Sequence, residues 1–129
     1  MLPGGLRVML AVEPVDLRRS IDGLAQYATT VLRHDPKVER AFFVFANTKR
    51  NRAKVLSRDA TGWCLLYKRL DKNVVSLPTS IPDGAKSVWI DPRALSRLLD
   101  GVARARRETA KDIAKYAKAK ARALIKAPS

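Results

Sequence analysis

The chain has 129 residues, which is enough for one ordinary domain with a single hydrophobic core. Apolar residues make up 47% and charged residues 29%, a balance that excludes a disordered composition. The formal net charge is +14, from 26 Lys+Arg against 12 Asp+Glu. This charge favours nucleic acid as a partner over an acidic membrane surface, an acidic protein or a mere excess for solubility.

Cysteine and histidine each occur once, as Cys64 and His34. A single cysteine forms no disulfide within the chain and, with a single histidine, builds no zinc site. Arg7 and Glu13 interrupt the apolar segment 2–15, which argues against a signal peptide and against a membrane span. We therefore expect a cytoplasmic protein without a metal, a cofactor or a membrane association.

The N-terminal part of the chain predicts a strand followed by an amphipathic helix. The β-branched residues within 6–15 indicate the strand, and Asp16 is a suitable cap for a helix over 17–33. Gly23 costs such a helix about 1 kcal/mol relative to alanine, which suggests that another backbone passes close to it. The inner face of the helix is formed by apolar residues three or four positions apart, namely Leu17, Ile21, Leu24, Ala28 and Val31.

The middle of the chain predicts the strands of a mostly antiparallel sheet. The apolar run 41–46 suits a strand buried on both faces, and residues 53–57 return from it as the second arm of a hairpin. Residues 63–70 favour a further strand, with a short helix as the alternative. Two shorter strands are expected at 74–77 and 87–90, with a loop at 78–84 between them.

Asp91 and Pro92 mark the start of a second helix, because a capping carboxylate precedes proline at the first helical position. The composition changes after Gly101, since residues 102–129 hold 9 basic and 2 acidic residues. At about 100° per residue, the helical pattern on both sides of Gly101 stays in phase. We therefore expect one helix from Pro92 to about Lys126, roughly 50 Å long, with a kink allowed at Gly101.

Seven cations share one face of this predicted helix: Arg104, Arg107, Lys111, Lys115, Lys118, Arg122 and Lys126. The same phase adds Arg93 and Arg97. Cations at this spacing can follow a phosphate backbone, which gives affinity and salt dependence without sequence specificity. One alternative is a solvated face on a loosely attached tail. Another is a membrane-surface or partner helix, which Arg106 and Lys120 disfavour because they interrupt the thin apolar face.

A second basic cluster surrounds the tip of the predicted hairpin: Lys49, Arg50, Arg52 and Lys54. On a loop, these cations could hold a phosphate or enter a groove of nucleic acid. Alternatively, they keep a hydrophobic hairpin soluble. Trp63, Tyr67 and Trp89 could stack on bases, although packing in the core is the expected role of each. Cys64 is expected to be buried, and His34 to lie on the surface without a ligand partner.

The acidic residues do not predict an active site. Metal-dependent nucleases need carboxylates that converge on one or two ions, and the scattered aspartates show no such spacing. Asp16 and Asp91 are explained as helix caps, and Asp59 and Asp71 as turn residues. The chain has neither a glycine-rich phosphate-binding motif nor an HExxH motif. We expect no catalysis, and a small metal-dependent nuclease is a remote alternative.

Several segments, in order and spacing, are similar to one family of insertion-sequence proteins: LPG at 2–4, RV at 7–8, PVDLRRSIDGLA at 14–25, FVFAN at 43–47, RAKVL at 52–56, DATG at 59–62, WCLLYKRL at 63–70, Leu95 and LLDG at 98–101. Together they resemble the TnpB accessory protein from the second open reading frame of the insertion sequence 66 family, over about residues 2–102. Three positions depart from the family pattern, in which a basic residue is common in place of Ala46 and aromatics are common in place of Ser57 and Arg58. The family's hairpin contacts are therefore not carried over to this chain.

The resemblance implies a protein that is encoded beside a separate transposase and is needed for transposition. The catalytic acidic residues of such elements belong to the transposase. Binding to the DNA ends of the element, or to the transposase, is the expected action of the accessory protein.

We expect an α+β fold in a single domain, with a mostly antiparallel sheet, an N-terminal amphipathic helix and a long basic C-terminal helix. Residues 1–101 would form the family-like domain and 102–129 a basic helical extension. The first functional hypothesis is a non-catalytic accessory protein that binds insertion-sequence DNA, mainly at phosphates, and works with the transposase of the same element. The second is a protein–protein adaptor for the transposase that does not bind DNA.

Overall fold

The computed structural model describes residues 7–78 and 80–103 of the chain. A π-helical turn at Ala28–Leu32 extends the first helix, and a 3₁₀ turn at Pro92–Ala94 precedes the second. Within this part, the helices and strands follow in the order β1 (Arg7–Ala11), α1 (Ile21–Tyr27), β2 (Ala41–Ala46), β3 (Arg52–Arg58), β4 (Trp63–Arg69), β5 (Asn73–Val74), β6 (Ser87–Ile90), α2 (Leu95–Asp100) and β7 (Val102–Ala103).

Five strands form one sheet in the order β4-β3-β2-β1-β6, and β5 pairs with β7 in a separate two-stranded sheet. The neighbours β1 and β2 are parallel because α1 carries the chain back to the end of the sheet at which β1 began. The other neighbouring pairs in this sheet are antiparallel. Met9 of β1, for example, lies beside Phe43 of the parallel neighbour β2 and beside Trp89 of the antiparallel neighbour β6. The sheet is therefore mixed.

The hydrophobic core lies in two layers, one on each face of the five-stranded sheet. Successive strand residues point to opposite faces, so Met9 packs in one layer and Val8 and Leu10 pack in the other. On the α1 face, Phe43 of the sheet and Leu24 of α1 are buried in the same hydrophobic cluster. Burial of each such side chain contributes about 1.5–3 kcal/mol to the stability of the fold. The second layer, on the α2 face, is built from Val8, Leu10, Val44, Val55, Val75, Leu98 and Leu99.

Helix α1 begins at Ile21, four residues later than predicted. The predicted cap is wrong because Asp16 accepts hydrogen bonds from Arg18 within its own loop and does not cap the helix. The nearest atoms to a Cβ built at Gly23 belong to the Arg19 side chain, so the expected close backbone is not there. The helix ends at Leu32, and Arg33 then adopts a left-handed conformation with φ of 65°.

The predicted start of the second helix is confirmed, since the side chain of Asp91 accepts from the backbone NH of Arg93 at 2.9 Å and Pro92 occupies the first turn. Its predicted length is wrong, because α2 ends at Asp100. Gly101 has φ of 79° and ψ of −176°, a conformation outside the helical region. The following Val102 and Ala103 then pair with β5, so no helix runs through Gly101.

The predicted fold class is therefore wrong, because the long basic C-terminal helix is replaced at its start by a helix of one and a half turns followed by a short strand. Among the described strands, the sheet is mostly antiparallel as predicted, although the pair β1 and β2 makes it mixed. The rest of the predicted helix, from residue 104 to about Lys126, lies outside the described residues. Among the helices that the structure describes, none is long and apolar enough to span a bilayer.

The edge strands β4 and β6 leave side chains exposed that were expected to be buried. Cys64 is exposed on β4, and Trp89 on β6 is 42% exposed. An edge strand packs against one neighbouring strand instead of two, so its side chains receive less cover. Trp63 is the exception, because it packs against the core on the α1 face as predicted.

Candidate nucleic-acid interface

An open groove of about 920 Å³ lies at the carboxyl ends of the parallel strands β1 and β2. The backbone NH of Val15 donates to the carbonyl of Ala46 at 2.9 Å, which ties the chain after β1 to the end of β2. We call this the basic groove. Its lining residues lie at positions 14–18, 47–49, 51–52, 54, 65 and 67.

Strand alternation brings cations of the hairpin to this groove. Ala53 is buried on the α2 face, so its neighbours Arg52 and Lys54 project from the opposite, α1 face. The antiparallel register places Arg52 opposite Arg69 and Lys54 opposite Tyr67. The outer end of the α1 face therefore carries three cations around one aromatic ring.

Hydrogen bonds hold the hairpin tip in a defined conformation. The side-chain oxygen of Asn47 accepts from the backbone NH of Arg52 at 3.1 Å, and its side-chain nitrogen donates to Oδ1 of Asn51 at 2.7 Å. Arg50 has φ of 55°, and its carbonyl accepts from the backbone NH of Val75 at 2.7 Å. The apex of the hairpin is therefore presented on a fixed turn.

Tyr67 exposes an aromatic ring in the basic groove. Its side chain is 51% exposed, whereas Leu65, two positions earlier on β4, packs against the core. Lys54 places Nζ at 5.6 Å from the centre of the Tyr67 ring and donates to the carbonyl of Arg19 at 2.9 Å. The predicted core position of Tyr67 is wrong, because Tyr67 lies beyond Trp63 and Leu65 on the edge strand β4, where it lines the groove and no longer packs against the core on the α1 face.

The acid that lines the basic groove, Asp16, is neutralised by a cation beside it. Nη2 of Arg18 donates to Oδ2 of Asp16 at 2.8 Å, and the backbone NH of Arg18 donates to Oδ1 at 3.0 Å. The side-chain hydrogen bond from Arg18 is the main reason that the pKa of Asp16 falls from 3.8 to about 2. The remaining cations Lys49, Arg52 and Lys54 leave the groove positive, which attracts polyanions.

Three of the four predicted hairpin cations line the groove, namely Lys49, Arg52 and Lys54. Arg50 is not one of the lining residues. Sequence reasoning missed Arg18, although an aspartate two positions before it is a signal for a side-chain-capped turn instead of a helix. The predicted tail cations lie outside the described residues: Arg104, Arg107, Lys111, Lys115, Lys118, Arg122 and Lys126.

A second polar cluster surrounds Trp89, at the start of β1 and away from the groove. The guanidinium of Arg7 lies 4.2 Å from the centre of the Trp89 ring, and the ring of His34 meets Trp89 edge-on at 5.3 Å. Nδ1 of His34 lies 2.9 Å from Oε1 of Glu39. His34 is thus partly buried and paired, contrary to prediction. Across 7–78 and 80–103, no three His, Cys, Asp or Glu side chains lie together in a way that could hold a metal ion.

Comparisons with known proteins identify the family. The sequence model described as "IS66 Orf2 like protein" matches residues 6–109. Uncharacterized protein y4hO of Sinorhizobium fredii (strain NBRC 101917 / NGR234) is 36% identical over 104 residues, which cover 79% of this chain and 87% of that protein. Uncharacterized protein y4jC of the same strain is 33% identical over 98 residues, or 76% and 80% of the two chains. No solved structure matches significantly. The chain therefore belongs to the IS66 Orf2-like family of accessory proteins in insertion-sequence transposition.

Proposed function

We propose that this protein is a non-catalytic accessory factor in transposition that binds DNA through the basic groove, mainly at phosphates. The groove gathers Arg18, Lys49, Arg52 and Lys54 on one surface, and its acid, Asp16, is already paired. This convergence of cations from two separate segments of the chain, the loop after β1 and the β2–β3 hairpin, is the observation that carries the proposal. Family membership supplies the context, namely an element that also encodes a transposase.

Phosphate contacts suit the chemistry of these side chains. Lysine and arginine release counterions from DNA when they neutralise phosphates, so binding becomes strongly dependent on salt. Such contacts position a protein on DNA but do not select its sequence. We therefore propose that the groove holds the DNA ends of the element, while the transposase of the same element is the partner that the family context supplies. The tail cations, still a sequence prediction, would extend the phosphate contacts.

The test measures duplex binding by the full chain over a salt series, with element-end DNA and an unrelated duplex. The double variant Lys49→Ala and Arg52→Ala removes two groove cations. The matched control, Lys37→Ala and Arg40→Ala, removes the same charge from exposed side chains at the other end of β2. We expect the groove variant to lower the salt slope by about 2, because each lost phosphate contact lowers it by about 1, and the control to change it little.

Equal effects of the two double variants would show that only net charge matters, and the groove would lose its assigned role. If the full chain binds neither duplex and no single strand of the same length at physiological salt, DNA binding fails as a function. The protein–protein adaptor hypothesis would then take its place, and transposase binding that survives high salt would support it.

A further inference from the structure

The floor of the basic groove has an unusual combination of an exposed aromatic ring and surrounding cations. Tyr67 is 51% exposed although it follows Leu65, which packs against the core, on the same face of β4. Lys54 lies opposite Tyr67 in the register, and the next pair along the two strands is Arg52 and Arg69. Residues two apart on a strand are separated by about 7 Å, so Arg52 and Arg69 start from backbone positions about 7 Å farther along the two strands than Lys54 and Tyr67.

The shape of the groove is suited to an unstacked base and not to the reading of base edges in an intact duplex. Direct reading of duplex DNA requires a helix or a ribbon that protrudes into a DNA groove. Here the surface is concave, and it is lined by residues 14–18 after β1 and by residues 47–49 and 51 of the hairpin tip. Its volume of about 920 Å³ lies within the range of about 300–1,000 Å³ that pockets for small ligands occupy, which is the scale of one or two nucleotides.

Single-stranded nucleic acids are held by stacking of bases on aromatic side chains and by cations along the backbone. The sheet surface beside Tyr67 offers both elements, and Leu65 adds an apolar contact for the edge of a base. The contact between Lys54 and the carbonyl of Arg19 holds this ammonium beside the ring at 5.6 Å. One side of the aromatic ring is therefore supported, and the exposed surface is left for a ligand.

We propose that the basic groove binds single-stranded DNA, with an unpaired base stacked on Tyr67 and the flanking phosphates held by Arg52 and Lys49. This inference rests on the proposed function, since it concerns the same groove. It goes further in naming the form of DNA that the groove selects, which is a strand that is unpaired, as at an opened or cleaved end.

The test uses the full chain and compares a labelled oligothymidylate with a duplex of the same length by fluorescence anisotropy. Tyr67→Ala removes the stacking ring, and Tyr67→Phe keeps it. Trp89→Ala is the matched control, because Trp89 is also an exposed aromatic with a cation over its ring but lies at the opposite edge of the sheet. Thermal unfolding of each variant checks that the fold is kept.

We expect the single strand to bind more tightly than the duplex. Tyr67→Ala should weaken single-strand binding by at least about fivefold and duplex binding much less, while Tyr67→Phe and Trp89→Ala should bind as the unchanged protein does. A 2-aminopurine base in the oligonucleotide should lose fluorescence on binding through stacking, and Tyr67→Ala should abolish that loss.

Equal binding of single strand and duplex, with no effect of Tyr67→Ala on either, would overturn this inference while leaving DNA binding by the groove intact. An equal effect of Trp89→Ala and Tyr67→Ala would also overturn it. Absence of binding to both forms of DNA is the separate result that removes the proposed function itself.

Discussion

Gly101 ends α2 in a backbone conformation that is essentially restricted to glycine. Its φ of 79° and ψ of −176° lie in a region that costs other residues about 1–3 kcal/mol. A Cβ at this position would also overlap the carbonyl oxygen of Val74, because β5 passes directly beside it. The glycine thus allows the chain to leave the helix and pair with β5 at once.

Gly101→Ala is expected to lower the free energy of unfolding by about 2–4 kcal/mol, from backbone strain together with the overlap at Val74. Gly84→Ala is the matched control, since Gly84 has φ of 76° but open space around its Cβ position. It should cost about 1 kcal/mol or less. Denaturant unfolding measures both variants. Equal losses of unfolding free energy would show that the overlap with Val74 does not contribute to the destabilisation.

The Asp16 carboxylate gives a test of the groove wall by pH. Its pKa is lowered from 3.8 to about 2 by the hydrogen bonds from Arg18. A lowered pKa in the folded state stabilises the fold above the unfolded pKa, and this stabilisation is lost as the pH falls from about 4 to about 2. The pair is exposed, so the effect on stability is small.

Carboxyl titration by NMR should therefore give Asp16 a midpoint near 2. In Arg18→Ala, the midpoint should rise toward 3.8, because the side-chain hydrogen bond and the charge are lost. A midpoint near 3.8 in the unchanged protein would mean that the ion pair does not form in solution.

At the scale of elements, the β2–β3 hairpin depends on the side chain of Asn47. This residue bridges the two arms through Arg52 and Asn51. We expect Asn47→Ala to lower the free energy of unfolding by about 1–2 kcal/mol, because two hydrogen bonds are lost. Amide exchange at Arg52 should accelerate in the same variant.

The neighbour Thr48 provides the control for this prediction, since it is exposed on the same turn. Thr48→Ala should change unfolding by less than about 0.5 kcal/mol. Similar losses for the two variants would show that the tip is held by its backbone bonds alone, such as the one from Val75 to the carbonyl of Arg50.

At the scale of the whole molecule, the net positive charge is divided equally between the described body and the tail. Residues 104–129 contain 9 basic and 2 acidic residues, which supply half of the net charge of +14. The division into a domain over 1–101 and an extension over 102–129 is a prediction. Because Val102 and Ala103 pair with β5, a chain that ends after Ala103 is the better truncation.

We expect this truncation to weaken binding to element-end and unrelated duplexes alike and to lower the salt slope by several units, because phosphate contacts do not distinguish sequences. The truncated chain should have the same free energy of unfolding as the full chain, and this comparison is the control that the truncated chain still folds. An unchanged salt slope would show that the tail cations do not contact DNA.

Local sequence patterns determined several elements of this protein correctly. The apolar run at 41–46 became β2, its return became β3, and Asp91 with Pro92 started the second helix. The basic character of the hairpin tip was also predictable. These features depend on turn chemistry, capping and side-chain alternation, which act over a few residues.

Only the tertiary structure decided how these elements meet. The parallel pairing of β1 with β2 depends on the path of α1, and the end of α2 depends on a strand nearly thirty residues earlier in the chain. Tyr67 is exposed because β4 lies at the edge of the sheet, and Arg18 reaches the groove because Asp16 turns the loop. Such outcomes are set by contacts between distant segments, which helical and strand periodicity do not encode.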